Sequence, residues 1–164
     1  MPQVFISGGS NIDAANNIQF AVRELCYEFG ELNLSKVYRS PALGFDGEDF
    51  LNLIIGFTTD RSPYDCAAVM KRIEDETGRT NDQHGFTPRP LDLDMVIYGD
   101  LIDNDKALRL PRDDVDKYAF VLGPLAEIAP DLRHPVSGKT WAELWADFDQ
   151  SGSKMTEETL RLSV

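Results

Sequence analysis

The 164-residue sequence is poor in cysteine and histidine, with two of each. Cys26 and Cys66 form no CxxC pair, and neither they nor His84 and His134 fall at zinc-ligand spacing. This excludes a disulfide framework and a zinc staple. Both cysteines fall among apolar helix positions and are expected as buried free thiols. Both histidines are expected at the surface. Basic residues are scarce too: 16 Lys and Arg face 28 Asp and Glu, a formal charge of -12. That balance argues against nucleic-acid binding. It also means that an anionic ligand needs cations gathered locally. No apolar run reaches the ~18 residues of a membrane span. The opening residues do not read as a basic-then-apolar leader. A cytoplasmic monomer without nucleic-acid or membrane partners is the expectation.

What is present suffices for one packed domain: 42% of residues are hydrophobic. Residues 4–7 form an apolar run that reads as a buried strand stopping at Gly8-Gly9. Ile18, Ala21, Val22, Leu25 and Phe29 follow at helical spacing. Ser10, Asn11 or Asp13 caps this helix, and Gly30 ends it. Residues 32–38 alternate (Leu32, Leu34, then Val37) and read as a strand, 40–49 as a loop and 50–58 as a strand. Ser62 and Pro63 open a second helix with Cys66, Val69, Met70 and Ile73 on its core face, and Gly78 ends it. Residues 78–90 are polar and aperiodic, a loop length that usually signals function. Residues 91–98 read as a strand, Gly99-Asp100 as a turn, 108–110 as a short strand and 120–128 as a short apolar helix. Thr140-Trp141-Ala142-Glu143 is a capping box. Residues 1–150 are read as one domain and 151–164 as a loose polar tail. The order β-α-β-β-α-β indicates an α+β fold, an antiparallel sheet with helices on one face in the split βαβ arrangement.

The most informative stretch is Pro88-Arg89-Pro90-Leu91-Asp92-Leu93-Asp94-Met95. In a strand, Asp92 and Asp94 point one way while Leu91, Leu93 and Met95 point into the core. Two carboxylates on one rigid face suit Mg²⁺, which completes its octahedron with phosphate oxygens and water. Arg89 just before them offers a fork matched to phosphate. A cation clamp with an arginine is what phosphoryl transfer requires. The competing reading is a solvated strand face, against which stand the preceding polar loop and the arginine. Gly8-Gly9-Ser10-Asn11 lacks phosphate-loop spacing and reads as structural.

At this point the sequence resembles the 6-hydroxymethyl-7,8-dihydropterin pyrophosphokinases of folate biosynthesis. The resemblance spans residues 5–135 and rests on ordered motifs. These are Gly9-Ser10-Asn11, Tyr38-Arg39-Ser40-Pro41 with Leu43-Gly44, and Asp49-Phe50-Leu51-Asn52. Next come Arg72-Ile73-Glu74 with Gly78-Arg79, and Pro88-Arg89 with Asp92-Leu93-Asp94. Leu110-Pro111, Phe120-Val121-Leu122, Pro124-Leu125 and Glu127-Ile128-Ala129-Pro130 complete the series.

The resemblance implies a ferredoxin-like sandwich with helices packed on its sheet faces. It implies two Mg²⁺ held by Asp92 and Asp94, with ATP as co-substrate and a dihydropterin as substrate. Arg79 and Arg89 would contact the phosphates and act in catalysis, and Glu74 would shape the nucleotide site. Asn52 would bond the pterin edge, Phe86 and Phe120 would stack near it, and Ser40, Pro41 and Leu43 would line the pocket. A flat heterocycle does need aromatic faces and a carboxamide. Asn52 also reads as a core amide bonded to backbone, Phe120 as plain core, and Glu74 as an exposed helix residue.

Departures from the family pattern stand at Asn81, where a basic residue is usual, and at Thr87, Phe86, Arg112 and Tyr118. Arg112 replaces a usual His and is expected to contact ATP phosphate, with Lys117 as a further cation. The departures leave open a catalytically weak or silent homologue that binds a pterin or nucleotide, or an enzyme for a different pterin. A sugar-nucleotide transferase and an RNA-binding module fit less well.

Overall fold

A computed structural model describes residues 1–41, 48–78, 90–151 and 155–163. β1 (Gln3–Ser10) leads into α1 (Ala14–Phe29). β2 (Asn33–Leu34) and β3 (Val37–Ser40) precede β4 (Phe50–Thr58), and α2 (Pro63–Glu76) leads to β5 (Asp92–Tyr98). The rest adds α3 (Asp114–Lys117), α4 (Ala119–Ile128), α5 (Trp141–Asp147) and β6 (Thr156–Glu158). The sheet order is β5-β1-β4-β3-β6, with β2 also on β4, and each of these pairings is antiparallel. This is the split βαβ sandwich expected of the element order. Among the described residues no helix is long and apolar enough to cross a membrane.

Two apolar layers hold the sheet. On one face Ile18, Val22 and Leu25 of α1 and Cys66, Met70 and Ile73 of α2 pack on Val4, Ile6, Leu53 and Ile55. On the other, Val121, Leu122 and Leu125 of α4 and Trp141 of α5 pack on Phe5, Ile54 and Val96. Full burial of each such side chain stabilises by roughly 1.5–3 kcal/mol. Helices thus cover both faces, while α1 and α2 share one. Ser62 caps α2 by accepting from the Asp65 N–H at 3.1 Å, with Pro63 as the first helical residue. Both halves of the capping box at Thr140 and Glu143 are formed.

Several expectations are corrected. β1 does not stop at Gly8-Gly9 but continues through both in register with β4 and β5. These glycines permit close approach rather than a turn. Asp13 takes the cap position of α1 in a left-handed conformation without a capping side-chain bond, and its carboxylate accepts from Asn16 Nδ2 at 3.0 Å. Residues 32–38 are two strands. From Leu34 to Tyr38 the chain advances four residues while its partner advances three, Ile55 to Asn52. A bulge at Ser35 absorbs the extra residue, and Ser35 Oγ there accepts from the Ile54 N–H at 2.8 Å. In place of a strand at 108–110 there is one bridge, Asp103 to Leu110. Cys66 is buried, and burial pushes its thiol up to about 11, but Cys26 is only half-buried. His134 is not at the surface. Its Nδ1 accepts from the Val136 and Ser137 N–H groups at 3.0 and 3.3 Å, and burial lowers its pKa.

The stretch after Gln150 is not loose where it is described. β6 pairs with β3, and Arg39 Nε lies 3.0 Å from Glu158 Oε2. Leu160 and Leu162 pack on the first apolar layer, and Gln19 exchanges hydrogen bonds with Ser163 at 2.6 and 2.8 Å.

Candidate active site

β1 runs between β5 and β4, so each of its residues from Val4 to Gly9 aligns one residue from either neighbour. Gly9 stands opposite Asp92 on one side and Asn52 on the other, and Asn52 stands opposite Tyr38. Ser7 likewise aligns Asp94 with Ile54. Cross-strand partners share a face. Asp92, Asp94, Asn52 and Tyr38 therefore project to the face that carries α4, where Ile54 is packed. Leu91, Leu93 and Met95 are buried on the opposite face, as their alternation with the two aspartates requires. Asp92 and Asn52 are two strand spacings apart, roughly 9–10 Å along the sheet. Asp92 and Asp94 are both half-buried.

Between them Gly9 leaves the floor bare. A Cβ added there would lie 2.7 Å from Asn52 Oδ1. Gly9→Ala is therefore expected to displace the Asn52 amide and, with Asn52 at the pterin edge as the resemblance implies, to weaken pterin binding about 10-fold or more, with ATP affinity nearly unchanged. Separate fluorescence titrations with each ligand would check this.

Asn52 is buried, and its Nδ2 donates to Ser40 Oγ at 2.8 Å. The amide is thus held by another expected pocket residue rather than by backbone. Pro41 follows at the exposed end of β3. Phe120 lies in the first turn of α4, half-buried, its ring stacked on Tyr118 at 5.1 Å and packed against the second apolar layer. Part of the ring joins the core, and part stays exposed. Lys117 Nζ sits 5.5 Å from the Tyr118 ring centre.

Glu74 and Arg112 meet at the outer edge of β5. Glu74 Oε2 accepts from the Leu93 N–H at 2.7 Å, so it is not a plain exposed helix residue. The Arg112 N–H donates to the Val96 carbonyl at 3.0 Å, and Arg112 Nε to the Met95 carbonyl at 3.4 Å. A carboxylate and a guanidinium thereby satisfy edge donors and acceptors that β1 does not reach. Both residues line a cleft of about 130 Å³ with Met70, Lys71, Met95 and Leu108. From there Arg112 Nη2 reaches within 4.0 Å of Asp94 Oδ1 on the other face. The cleft thus combines an apolar floor with charged groups, and Arg112 links it to Asp94.

Leu43, Arg79, Phe86 and Arg89 lie outside the described residues, as do Asn81, His84 and Thr87. Among the described residues no group of three or more His, Cys, Asp or Glu gathers at metal distance. Two carboxylates on one strand nevertheless suit Mg²⁺, which takes few protein ligands and fills its shell with phosphate and water. Sequence reasoning missed three residues at this face and one behind it. Gly9 reads in sequence as a turn, and the buried Ser10 hydroxyl, on the opposite face, bonds the Pro90 carbonyl at the entry to β5. Tyr38 and Glu127 carried no role, yet Tyr38 OH donates to Glu127 Oε1 at 2.5 Å. Their motifs were visible, but a contact across 89 residues was not.

The model of the 7,8-dihydro-6-hydroxymethylpterin-pyrophosphokinase family matches residues 5–130. A protein of Methylorubrum extorquens named 2-amino-4-hydroxy-6-hydroxymethyldihydropteridine pyrophosphokinase is 36% identical over 161 residues, covering 96% of this chain and 100% of the relative. A protein of the same name from Aquifex aeolicus is 34% identical over 146 residues, covering 87% and 90%. Among solved structures, Plasmodium falciparum HPPK-DHPS superposes with a TM-score of 0.69 at 13% identity, over 88% of this chain and 44% of that one. This chain spans less than half of that longer protein, and the likeness concerns the fold. The match through both apolar layers and the acidic strand, together with relatives aligned over nearly their whole length, makes this chain a member of the 7,8-dihydro-6-hydroxymethylpterin-pyrophosphokinase family.

Proposed function

We propose that the chain transfers the pyrophosphoryl group of ATP to the hydroxymethyl oxygen of 6-hydroxymethyl-7,8-dihydropterin, in folate biosynthesis. The observation that carries this reading is the cross-strand row Asp92, Gly9, Asn52. It sets a carboxylate suited to a phosphate-bound cation and an amide suited to a pterin edge on one rigid face, with bare backbone between them. Family membership supplies the reaction class.

Asp92 and Asp94 would hold the Mg²⁺, two ions in the family's manner. When bound, Mg²⁺ neutralises phosphate charge and fixes the polyphosphate for attack. The edge cleft accepts the nucleotide base against Met70, Met95 and Leu108, with Glu74 and Arg112 at its rim. Arg112 extends from that cleft toward Asp94, so it follows the path of the phosphates around the edge of β5. Asn52 and Ser40 orient the pterin by hydrogen bonds, and Phe120 offers a ring face. In the family's manner Pro41 and Leu43 would line the pocket, and Phe86 would stack near the pterin. Arg79 and Arg89 add positive charge at the phosphates, which a chain of charge -12 must supply locally.

The hydroxymethyl oxygen attacks the β-phosphorus in line. The new C–O–P bond forms as the bridge between the α- and β-phosphates breaks, AMP leaves with that bridging oxygen, and the hydroxyl proton passes to solvent. A loose transition state asks little of a general base. The reading includes a cytoplasmic monomer. Unpaired thiols suit a reducing compartment, and the outer edges of β5 and β3 are covered by Glu74, Arg112 and β6.

The test is AMP formation from ATP and Mg²⁺ with and without the dihydropterin. AMP that depends on the pterin is expected. Saturable binding of either ligand without AMP would instead favour the catalytically silent homologue to which Asn81 and Tyr118 point.

A further inference from the structure

We infer that Glu127 is a positioning residue for the pterin site, acting through Tyr38. The inference rests on the proposed function. Glu127 stands in the last turn of α4 and is exposed, yet both of its carboxylate oxygens are engaged by the strand edge beneath. Oε2 accepts from the Lys36 N–H at 2.9 Å, and Oε1 accepts from Tyr38 OH at 2.5 Å. Lys36 lies where the bulge interrupts the pairing with β4 between β2 and β3, so its N–H is outside the ladder and open to a partner beyond the sheet. Glu127 supplies it and so joins α4 to β3 at two points.

The two elements so joined both carry residues proposed for the pterin site. α4 presents Phe120 from its first turn, and β3 presents Ser40, which holds the Asn52 amide. Tyr38 stands directly opposite Asn52 on the same face. Packing alone does not fix its ring. Tyr38 lines an open cavity of about 390 Å³ that is bounded also by Gly123, Ala126, Trp145 and Met155. With space on that side, the bond to Glu127 selects the ring's orientation beside Asn52. Burial and the neighbouring Glu127 carboxylate both raise the Tyr38 pKa, so the hydroxyl remains a donor across the physiological range. The fold thereby joins two residues, Tyr38 and Glu127, to which the sequence pattern assigns no role.

The experiment compares wild type with Tyr38→Phe, Glu127→Ala and Glu127→Gln. Each protein is titrated with the dihydropterin in the presence of an ATP analogue that has a methylene between the α- and β-phosphorus atoms. Each is titrated separately with the analogue alone. The result expected is a rise of about 10-fold in pterin Kd for Tyr38→Phe and Glu127→Ala, with analogue Kd unchanged. Glu127→Gln keeps an acceptor oxygen and recovers most of the affinity. In turnover, the pterin KM rises more than kcat falls.

Tyr38→Phe retains the ring and its packing, so it remains informative if Glu127→Ala folds poorly. Pterin affinity within about two-fold of wild type in Tyr38→Phe and in folded Glu127→Ala overturns the inference, although wild-type pterin binding would still support the proposed function. Parallel losses for both ligands overturn it too, because a general loss of stability would act on both. Wild type that binds no pterin overturns the proposed function, and the inference with it.

Discussion

Asp92→Asn and Asp94→Asn are each expected to lower pterin-dependent AMP formation by roughly 10³-fold or more. Asparagine keeps the shape of the side chain and removes its charge. Both aspartates project from β5 on the face opposite Leu91, Leu93 and Met95, so the core that fixes the strand is untouched. Half-exposed positions of this kind change stability by about 1 kcal/mol or less when the shape is kept. Activity and stability should therefore separate: turnover lost, thermal midpoint nearly unchanged. Turnover would be measured at saturating pterin and ATP over a range of Mg²⁺ concentrations, and the midpoint by circular dichroism. If the carboxylates hold the cation, the residual activity requires more Mg²⁺ than wild type does. Near-normal turnover in both variants would remove the acidic pair from the mechanism.

Arg112→Ala is expected to cost about 10²–10³ in kcat/KM for ATP, the scale of one lost charge contact in a transition state. The alanine variant retains the bond from its backbone N–H to the Val96 carbonyl, so the chain path at the edge of β5 survives. What is lost is the guanidinium that spans from the edge cleft to Asp94. Arg112→Lys should recover only part of the activity, because a lysine restores the charge without the planar fork. Pterin affinity is unaffected, since Asn52 and Ser40 lie across Gly9 from β5. Unchanged ATP binding and AMP formation in Arg112→Ala would refute the assignment.

Much of the frame was legible because local physics decides it. The 3–4 spacing of Ile18, Val22 and Leu25, the Ser62-Pro63 start and the Thr140–Glu143 box each specify a helix from a few neighbouring residues. The alternation from Leu91 to Met95 fixed the faces of β5 before any partner strand was known. Even the bulge left a trace: Leu32 and Leu34 are out of phase with Val37, and the sheet absorbs that slip at Ser35. Gly8 and Gly9 misled because glycine serves a turn and a close approach equally well in sequence. Which use applies depends on Asn52, more than forty residues away. β6 was missed because three residues, mostly charged, carry no strand pattern of their own, and their pairing with β3 comes from across the chain.

The candidate site divides along the same line. Residue type and alternation were enough to select Asp92, Asp94 and Asn52, since a charge pair on an apolar strand or an amide in one requires a partner wherever it lies, whereas Arg112 was marked only by the family resemblance. Their arrangement was not contained in those stretches. The register of β1 against two neighbours places Asp92 in a row with Asn52, and the edge of β5 brings Glu74 of α2 together with Arg112. Glu127 meets Tyr38 only because α4 packs on the sheet face that β3 extends. The sequence by itself determined which chemical groups are present and which way each faces on its own element, because those follow from spacing over a few residues. Distances between groups on different elements were decided by tertiary structure alone, because they depend on strand register and helix packing, which no single segment encodes.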